Sequence, residues 1–438
     1  MRKPRPGYKL VKSLFGKYEE IPEEWELKKI KELTKVSVGL VINPSTYFDD
    51  HGTVPMITGK HVTENGIVLD GVDFITEENN RLLEPTRIWL GDLVTMRVGY
   101  PGRTSVVRKE HDGINCASVI ITRKNKKFVS EFLGYLANSK LISKQVTMYQ
   151  AGGAQQVVNV GSWKEFLIFL PPIPEQEKIA STLSNVDDLI SSYDKTIEHT
   201  KQLKKGLMQT LLTKGIGHKK FKKVKWLFGK EIEIPEEWYF VPLSDLIELK
   251  NGFAFKSDYF VTSSDKVVIT PGNFHKDKKL YFEDRNTTFY EGPIPSGFIL
   301  ENNDLLIVMT DLTRDGVILG NAIILKSDYT ILHNQRIAKV LLKEKINKKY
   351  LNQFLNSSFY KKQIKRTSAG TGVIHTSTKK ILEILFPHPE ISEQQKIASI
   401  LSNIDSKINE LEGKKTSLES LKKRLMQKLL TGQIRVKI

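Results

Sequence analysis

One cysteine, Cys116, in 438 residues leaves no partner for an intrachain disulfide and excludes a cysteine-based zinc site. No apolar run approaches the ~18 residues that span a bilayer. The basic start "MRKPRPGYKLVKSLFGKYEE" lacks the apolar stretch of a signal peptide behind it. These absences describe a cytoplasmic protein with no membrane contact. The nine histidines are scattered without metal-ligand spacing, so no metal site is expected. No phosphate loop occurs either. "GTVPMITGKH" (52–61) has the wrong spacing and a His where Ser or Thr is required. "SAGTGV" (368–373) has no strand–turn–helix context and reads as a flexible loop. "LPPI" (170–173) lacks the polar residue before and the aromatic after the prolines that an adenine-methylating motif needs. The acidic residues form no nuclease cluster. No catalytic residue can be named, and the chain is expected to bind rather than react.

What is present is charge and size. Lysine plus arginine number 67 against 50 acidic residues, a net charge of +17 and a pI near 9.5. Such an excess points to a polyanion partner, most often nucleic acid, unless the lysines are spread over solvated faces. At 50.0 kDa and 39% hydrophobic residues the chain can bury two or three separate cores.

The chain also repeats itself. "EQEKIASTLSNVD" (175–187) returns as "EQQKIASILSNID" (393–405), with ten of thirteen positions identical at an offset of 218. "KLVKSLFGKYEEIPEEW" (9–25) is answered by "KKVKWLFGKEIEIPEEW" (222–238), and "LKKGLMQTLLTKGI" (203–216) by "LKKRLMQKLLTGQI" (421–434). A period of roughly 210 residues is far too long for a solenoid. The chain is a tandem pair of domains. Between the retained ends the two bodies, about 26–170 and 239–388, share only a faint skeleton: "GDLVTMR" (91–97) against "NDLLIVMT" (303–310), and "VPMIT" (54–58) against "KVVIT" (266–270). A kept frame around drifted bodies suits two modules that each read something different.

In the retained segment Ile179, Leu183, Val186, Ile190, Tyr193 and Ile197 step by 4-3-4-3-4. Ile397, Leu401, Ile404, Ile408 and Leu411 keep the step, and Leu418, Leu421, Leu425 and Leu429 continue it. Pro174 suits a first helical turn, Ser392 with Gln395 forms a capping-box pattern, and Gly215 and Gly432 follow the helix ends. Each helix is about 40 residues, roughly 60 Å, and the two matching seams predict an intramolecular coiled coil. The short connection 214–225 brings the second helix back antiparallel to the first. The bodies read as mixed α/β, with strands at 92–98, 117–124, 321–326 and 336–343 and helices at about 128–149 and 349–366. The aromatics of those helices, Phe132, Tyr135, Phe354 and Phe359, read as core.

The frame resembles the specificity (S) subunit of type I restriction–modification systems. The resemblance rests on "IPEEW" at 21–25 and 234–238, on the proline step "LPPIPEQ" (170–176) or "FPHPEISEQ" (386–394), and on "KIASTLSNVD" with "LMQTLLT". "ELKNGFAFKSDYF" (248–260) and, more loosely, "SVGLVINPSTYF" (37–48) look like the openings of that family's target-recognition domains. The resemblance implies an α+β chain: two mixed α/β target-recognition domains in a tandem pseudo-twofold repeat, separated by a long antiparallel two-helix coiled coil. The expected domains are residues 1–171 (first target-recognition domain), 172–214 (spacer helix), 215–225 (linker), 226–388 (second target-recognition domain) and 389–432 (second spacer helix). It also implies that each body reads one half of a split site in double-stranded DNA, while the helices set the spacing and dock two methyltransferase (M) subunits. The chain itself would hold no cofactor. S-adenosylmethionine would sit on the methyltransferases, which methylate adenine at N6, and ATP and Mg on a restriction-motor (R) subunit where one joins. A methylation-only defence system is one alternative. Another is a coiled-coil scaffold that binds nucleic acid without sequence preference.

Base reading needs Arg, Lys, Asn or Gln at groove edges. The candidates in the first body are Lys60, His61, Arg97, Tyr100, Arg103, Gln150, Gln155 and Gln156, the glutamines lying in the glycine-bearing loop "YQAGGAQQVVN" (149–159). In the second they are Phe253, Phe255, Lys256, Asn273, Arg314, Thr371 and His375. For partner docking the candidates are polar residues retained in both copies: Glu175 and Glu393, Gln176 and Gln394, Lys178 and Lys396, Asn185 and Asn403, Asp187 and Asp405. The alternative for two of these pairs is internal. Glu175 and Glu393 would favour the helix N-terminal dipole, and Asn185 and Asn403 would fix the register of the coiled coil.

Overall fold

The structure, a computed structural model, describes residues 3–12, 18–150, 157–225, 231–313, 315–370 and 373–437, and of Gln150 only the backbone. The chain divides into two compact units: residues 1–194 with 413–438, and residues 195–412. Both divisions fall inside long helices, Ile173–Lys214 and Ile391–Leu429. Each unit therefore takes in one body and half of each long helix. The domain boundaries read from the sequence, at 172 and 389, fall instead at the helix starts.

In the first unit a four-stranded antiparallel sheet runs in the order Thr104–Val106, Leu93–Met96, Val119–Thr122, Val36–Val38. Its two central strands, LVTM and VIIT, are buried at every position. That is why they read as continuous apolar runs rather than alternating ones. A second sheet pairs Val54–Ile57 parallel to Asn115–Cys116 and antiparallel to Asp73–Ile75. Leu167–Leu170, just before the first long helix, pairs with Glu26–Lys29, and Tyr8–Lys12 pairs with Tyr18–Pro22.

The second unit repeats the order of the main sheet and the core pairings of the second sheet. Its main sheet runs Ala322–Ile324, Leu305–Val308, Ile337–Leu342, Ile247–Asn251. Its second sheet pairs Lys266–Ile269 parallel to Thr330–His333 and antiparallel to Thr288–Tyr290, and adds Phe260–Val261 and Ile299–Leu300 at its edges. Leu385–His388 pairs with Tyr239–Pro242, and Phe221–Lys225 with Glu231–Pro235. The bodies drifted in sequence and kept their topology.

The helices expected at 128–149 and 349–366 are each two helices. The first breaks between Ser130–Ala137 and Lys140–Gln150, the second between Lys348–Leu355 and Ser358–Thr367. The cause is the same in both copies. The Asn138 side chain accepts from Thr104 N at 2.9 Å and donates to Thr104 O at 2.8 Å. Asn356 does the same with Ala322, at 3.3 and 2.7 Å. Each amide thus satisfies both main-chain groups of a residue on the outer strand of its sheet, which requires the helix to end there. Of the four aromatics assigned to core, Phe132, Phe354 and the half-buried Tyr135 pack into their units' cores.

Within each unit the long helices pair antiparallel. In the first, Asp194–Lys415, Asp187–Lys422 and Glu175–Arg435, each at 2.6 Å, step down one chain as they step up the other. In the second, Lys201–Glu412 and Lys204–Asp405 do so at 2.9 and 2.6 Å. The expected seam is buried at Ile179, Leu183, Val186, Ile197, Ile397, Leu401, Ile408, Leu411 and Leu429. Leu421 departs from it and is exposed, because the helix turns the neighbouring Lys422 inward to Asp187. No helix among the described residues is long and apolar enough to cross a membrane.

Candidate functional site

The retained polar residues resolve first, because most of them face inward. Glu175 is fully buried at the start of the first long helix. Its carboxylate accepts from Trp25 Nε1 at 2.8 Å and from Arg435 Nε and Nη2 at 2.6 and 2.9 Å. One repeat later Glu393 accepts from Trp238 Nε1 at 2.9 Å and Ile216 N at 2.8 Å, with His218 Nε2 at 2.9 Å. The tryptophan is the last residue of each "IPEEW". Gly432 and Gly215, both at positive φ, lie beside these anchors; a Cβ on Gly215 would stand 2.4 Å from Glu393 Oε1. Gln176 accepts from Val129 N and donates to Pro171 O, both at 2.8 Å, and Gln394 treats Asn347 N and Pro389 O in the same way. Asp187 accepts from Tyr135 Oη at 2.7 Å, and Asp405 from Gln353 Nε2 at 2.9 Å, besides their lysine partners.

Three of the five retained pairs expected to dock partners are therefore anchors that fasten each long helix to its own body. Glu175, Glu393, Gln176 and Gln394 are sequestered with satisfied hydrogen bonds, and Asp187 and Asp405 are committed to internal ion pairs. This corrects the docking expectation for Glu175, Glu393, Gln176 and Gln394, while the Asp187 and Asp405 side chains stay 31 and 39% exposed.

The other two pairs stay in solvent. Lys178 and Lys396 are exposed. Asn185 is exposed next to buried Val186. Asn403 is exposed likewise, at the rim of a shallow cleft with Lys348, Ser399 and Ser402. Neither asparagine sits in the buried seam, so the alternative that Asn185 and Asn403 fix the coiled-coil register is overturned. An asparagine sets register only when its amide is enclosed between the helices. Leu203 corresponds to Leu421 at an offset of 218, and both are exposed.

The DNA-reading candidates separate into two groups. His61 and Asn273 are equivalent turn formers. Thr58 N donates to His61 Nδ1 at 2.9 Å, and Thr270 N to Asn273 Oδ1 at 2.8 Å. Both side chains are buried, and burial holds the His61 imidazole below its usual range. Neither is presented to a ligand, which corrects that expectation. Lys60 is exposed beside this turn and donates to Gly71 O. Phe255 is buried with Val268, Tyr290 and Leu332, its ring 5.0 Å from Tyr290, so it too belongs to the core. Phe253 is partly exposed against Phe255 and Phe298, and Lys256 is exposed. The strand entering this segment passes very close to its neighbour. A Cβ on Gly252 would lie 2.2 Å from His333 O, and one on the equivalent Gly39 2.6 Å from Cys116 O.

The second group clusters at a loop pair in each body. In the first, the loop from Arg97 to Arg103 joins two strands of the main sheet, and Val158 N donates to Arg97 O at 3.0 Å. That bond ties the 97–103 loop to the chain emerging from the glycine-bearing segment. In the second, Thr376 N donates to Met309 O at 3.0 Å, and Thr310–Asp311 pairs with Ile374–His375. Buried Asp311 then folds the loop beyond it, accepting from the main-chain N–H groups of Thr313, Ile318 and Leu319. The tips differ in chemistry. The first presents Tyr100, 66% exposed, with the Arg103 guanidinium 4.2 Å above its ring. The second presents Leu312, Val317, Val373 and the exposed His375. Gln155, Gln156, Arg314, Thr371 and the side chain of Gln150 lie outside the described residues.

Residues 22–205 and 235–420 match the family described as the type I restriction modification DNA specificity domain. The chain is 30% identical over 434 residues to the type I restriction enzyme MjaVIII specificity subunit of Methanocaldococcus jannaschii, covering 95% of this chain and 94% of that one. It is 28% identical over 437 residues to the putative MjaX specificity subunit of the same organism, covering 95% of each. The fold is shared with the S subunit of a type I restriction–modification system from M. genitalium, at a TM-score of 0.53 and 14% identity over 93% of this chain and 96% of that one. With two matched domains, a full-length relative and a common fold, the chain belongs to the type I restriction–modification DNA specificity family.

Proposed function

We propose that this chain is the non-catalytic DNA-reading subunit of a type I restriction–modification complex, and that each body reads one half of a bipartite site. The observation that carries the reading is the contrast at the loop pairs. Main-sheet topology and helix anchors are the same in both bodies, while the loop tips offer a cation–aromatic surface in one and an aliphatic, histidine-bearing surface in the other. Two copies of one reader with different contact chemistry suit two different half-sites. The net charge of +17 supplies the phosphate attraction that such reading needs.

Two methyltransferase subunits would dock on the exposed polar residues kept in both copies, Lys178 and Asn185 in the first unit and Lys396 and Asn403 in the second. S-adenosylmethionine would be bound by those subunits, and ATP with Mg by a motor-nuclease subunit where one is present, all in the cytoplasm. Mapping N6-methyladenine across the genome of a host expressing the chain with its methyltransferase tests this. Two short half-sites around a fixed gap are expected. A continuous motif would contradict the two-reader account, and no sequence-dependent methylation with an active methyltransferase would favour the non-specific scaffold.

A further inference from the structure

We propose that a cleft in the first unit, between the Glu64–Gly66 turn, the body helix Ser130–Ala137 and the first long helix, binds a primary ammonium group carried on a flexible aliphatic stem. The cleft holds about 320 Å³ and is lined by Glu64, Arg108, Glu131, Asp187, Asp188 and Asp194, with Tyr135 and Asn138 behind them. Asp187 and Asp194 are paired with Lys422 and Lys415, and Glu64 stands 3.9 Å from Arg103. Glu131 and Asp188 are exposed and leave the cleft acidic beyond what Arg108 offsets.

Acidity alone does not make a site; the second copy shows what this one takes. There the corresponding residues, Asn356, Asp405 and Lys204, surround an ammonium that the chain supplies itself. Lys278 Nζ donates to Asn356 O at 2.7 Å, beside the Lys204–Asp405 pair. Lys278 reaches that point from a hairpin closed by Phe274 and Leu280, in a left-handed conformation with φ +62°. The hairpin of the first copy, closed by Val62 and Ile67, has Gly66 at its turn, and a Cβ there would meet nothing within 4 Å. The second copy therefore fills this position with its own lysine, and the first leaves it open as a cleft.

The charges around it moved in the matching direction. Glu131 and Asp188 correspond, at offset 218, to Lys349 and Ser406, and Glu64 corresponds to Lys276 through the shared turn. Ser143 stands where the second copy has Lys361. In the second copy burial, with Lys204 as a near neighbour, lowers the Lys278 ammonium to about 8. The first copy offers the same carbonyl position with fewer competing cations and more carboxylates, so it should hold an ammonium more firmly. A lysine side chain from a partner polypeptide and a free polyamine share this chemistry.

The test is calorimetric titration of the full chain with spermidine at low salt, without DNA or methylation, so that its result is independent of the recognition function. One equivalent should bind. Glu131→Gln combined with Asp188→Asn should weaken binding about tenfold or more. If the double variant melts early, Glu64→Gln replaces it. No binding, or binding that ignores these substitutions, overturns the proposal. Carbodiimide treatment of the assembled methyltransferase complex then separates the sources. A cross-link from Glu131 or Asp188 to a partner lysine identifies a protein ligand, and spermidine still titrating the complex without such a link identifies a free amine.

Discussion

The two bodies differ at most of their positions, yet the same contacts hold them. Asn138 and Asn356 each clamp one residue of an outer strand; Trp25 and Trp238 each donate to a buried glutamate; Gln176 and Gln394 each bridge a helix start to a prolyl carbonyl. What varies lies at the loop tips and on the floor of one cleft. A frame built on side-chain-to-main-chain bonds tolerates drift in the residues that contribute only their backbone. Thr104 and Ala322 can therefore occupy equivalent places.

The sharpest way to break the symmetry is at the anchors. Glu175→Ala strands Trp25 Nε1 and the Arg435 guanidinium in a buried place and should cost the first unit about 3 kcal/mol or more. Glu393→Ala should cost the second about 2 kcal/mol, its carboxylate being less deeply buried. Urea unfolding followed by hydrogen exchange should locate each loss in its own unit. Asn138→Ala and Asn356→Ala come next, each at about 2 kcal/mol for the buried main-chain groups of Thr104 and Ala322 left unpaired. Equal losses in the two units would support the equivalence of the clamps.

A smaller effect distinguishes the copies by pH. Lys361 donates to Leu319 O and Asn321 Oδ1, and burial lowers its pKa to about 6, with Lys278 adding repulsion. A free lysine titrates near 10.4. Between these values the unfolded chain binds the extra proton, so this group's contribution to stability rises with pH through that window and is lost as pH falls toward 6. The second unit should gain stability from pH 7 to 9, and Lys361→Met should flatten that slope. The first unit has Ser143 at this position and lacks this pH dependence. Least affected will be Lys178→Ala and Lys396→Ala, with stability within about 0.5 kcal/mol. Co-purification with the methyltransferase should nevertheless weaken, and unchanged recovery would exclude these lysines from docking.

Much of the frame was legible because it is periodic or repeated. The 4-3 step with its flanking proline, cap and glycine signals gave the long helices to within three residues at each end, and the apolar runs gave the central strands. Glycines at 215 and 432 marked the helix ends. The misreadings have one physical source: a side chain's partner can lie far along the chain. Asn138 ends a helix by bonding a strand 34 residues earlier, which no local period encodes. The pairing of Glu175 with Trp25 spans 150 residues. Both members were visible as retained positions, but retention alone does not say whether a carboxylate faces a partner protein or its own tryptophan. Asn403 shows the reverse case: it is kept beside the seam, yet it faces solvent. His61 and Asn273 looked like readers because each is a polar side chain of a turn, and only the structure shows that the turn consumes it.

The central claim is that two independent readers share one frame. It is tested most directly by replacing residues 243–384 with the corresponding body of another family member and mapping N6-methyladenine in cells that also express the methyltransferase. The account predicts that one half-site changes while the other half-site and the gap stay as they were. A change in both halves, or in neither, would contradict it.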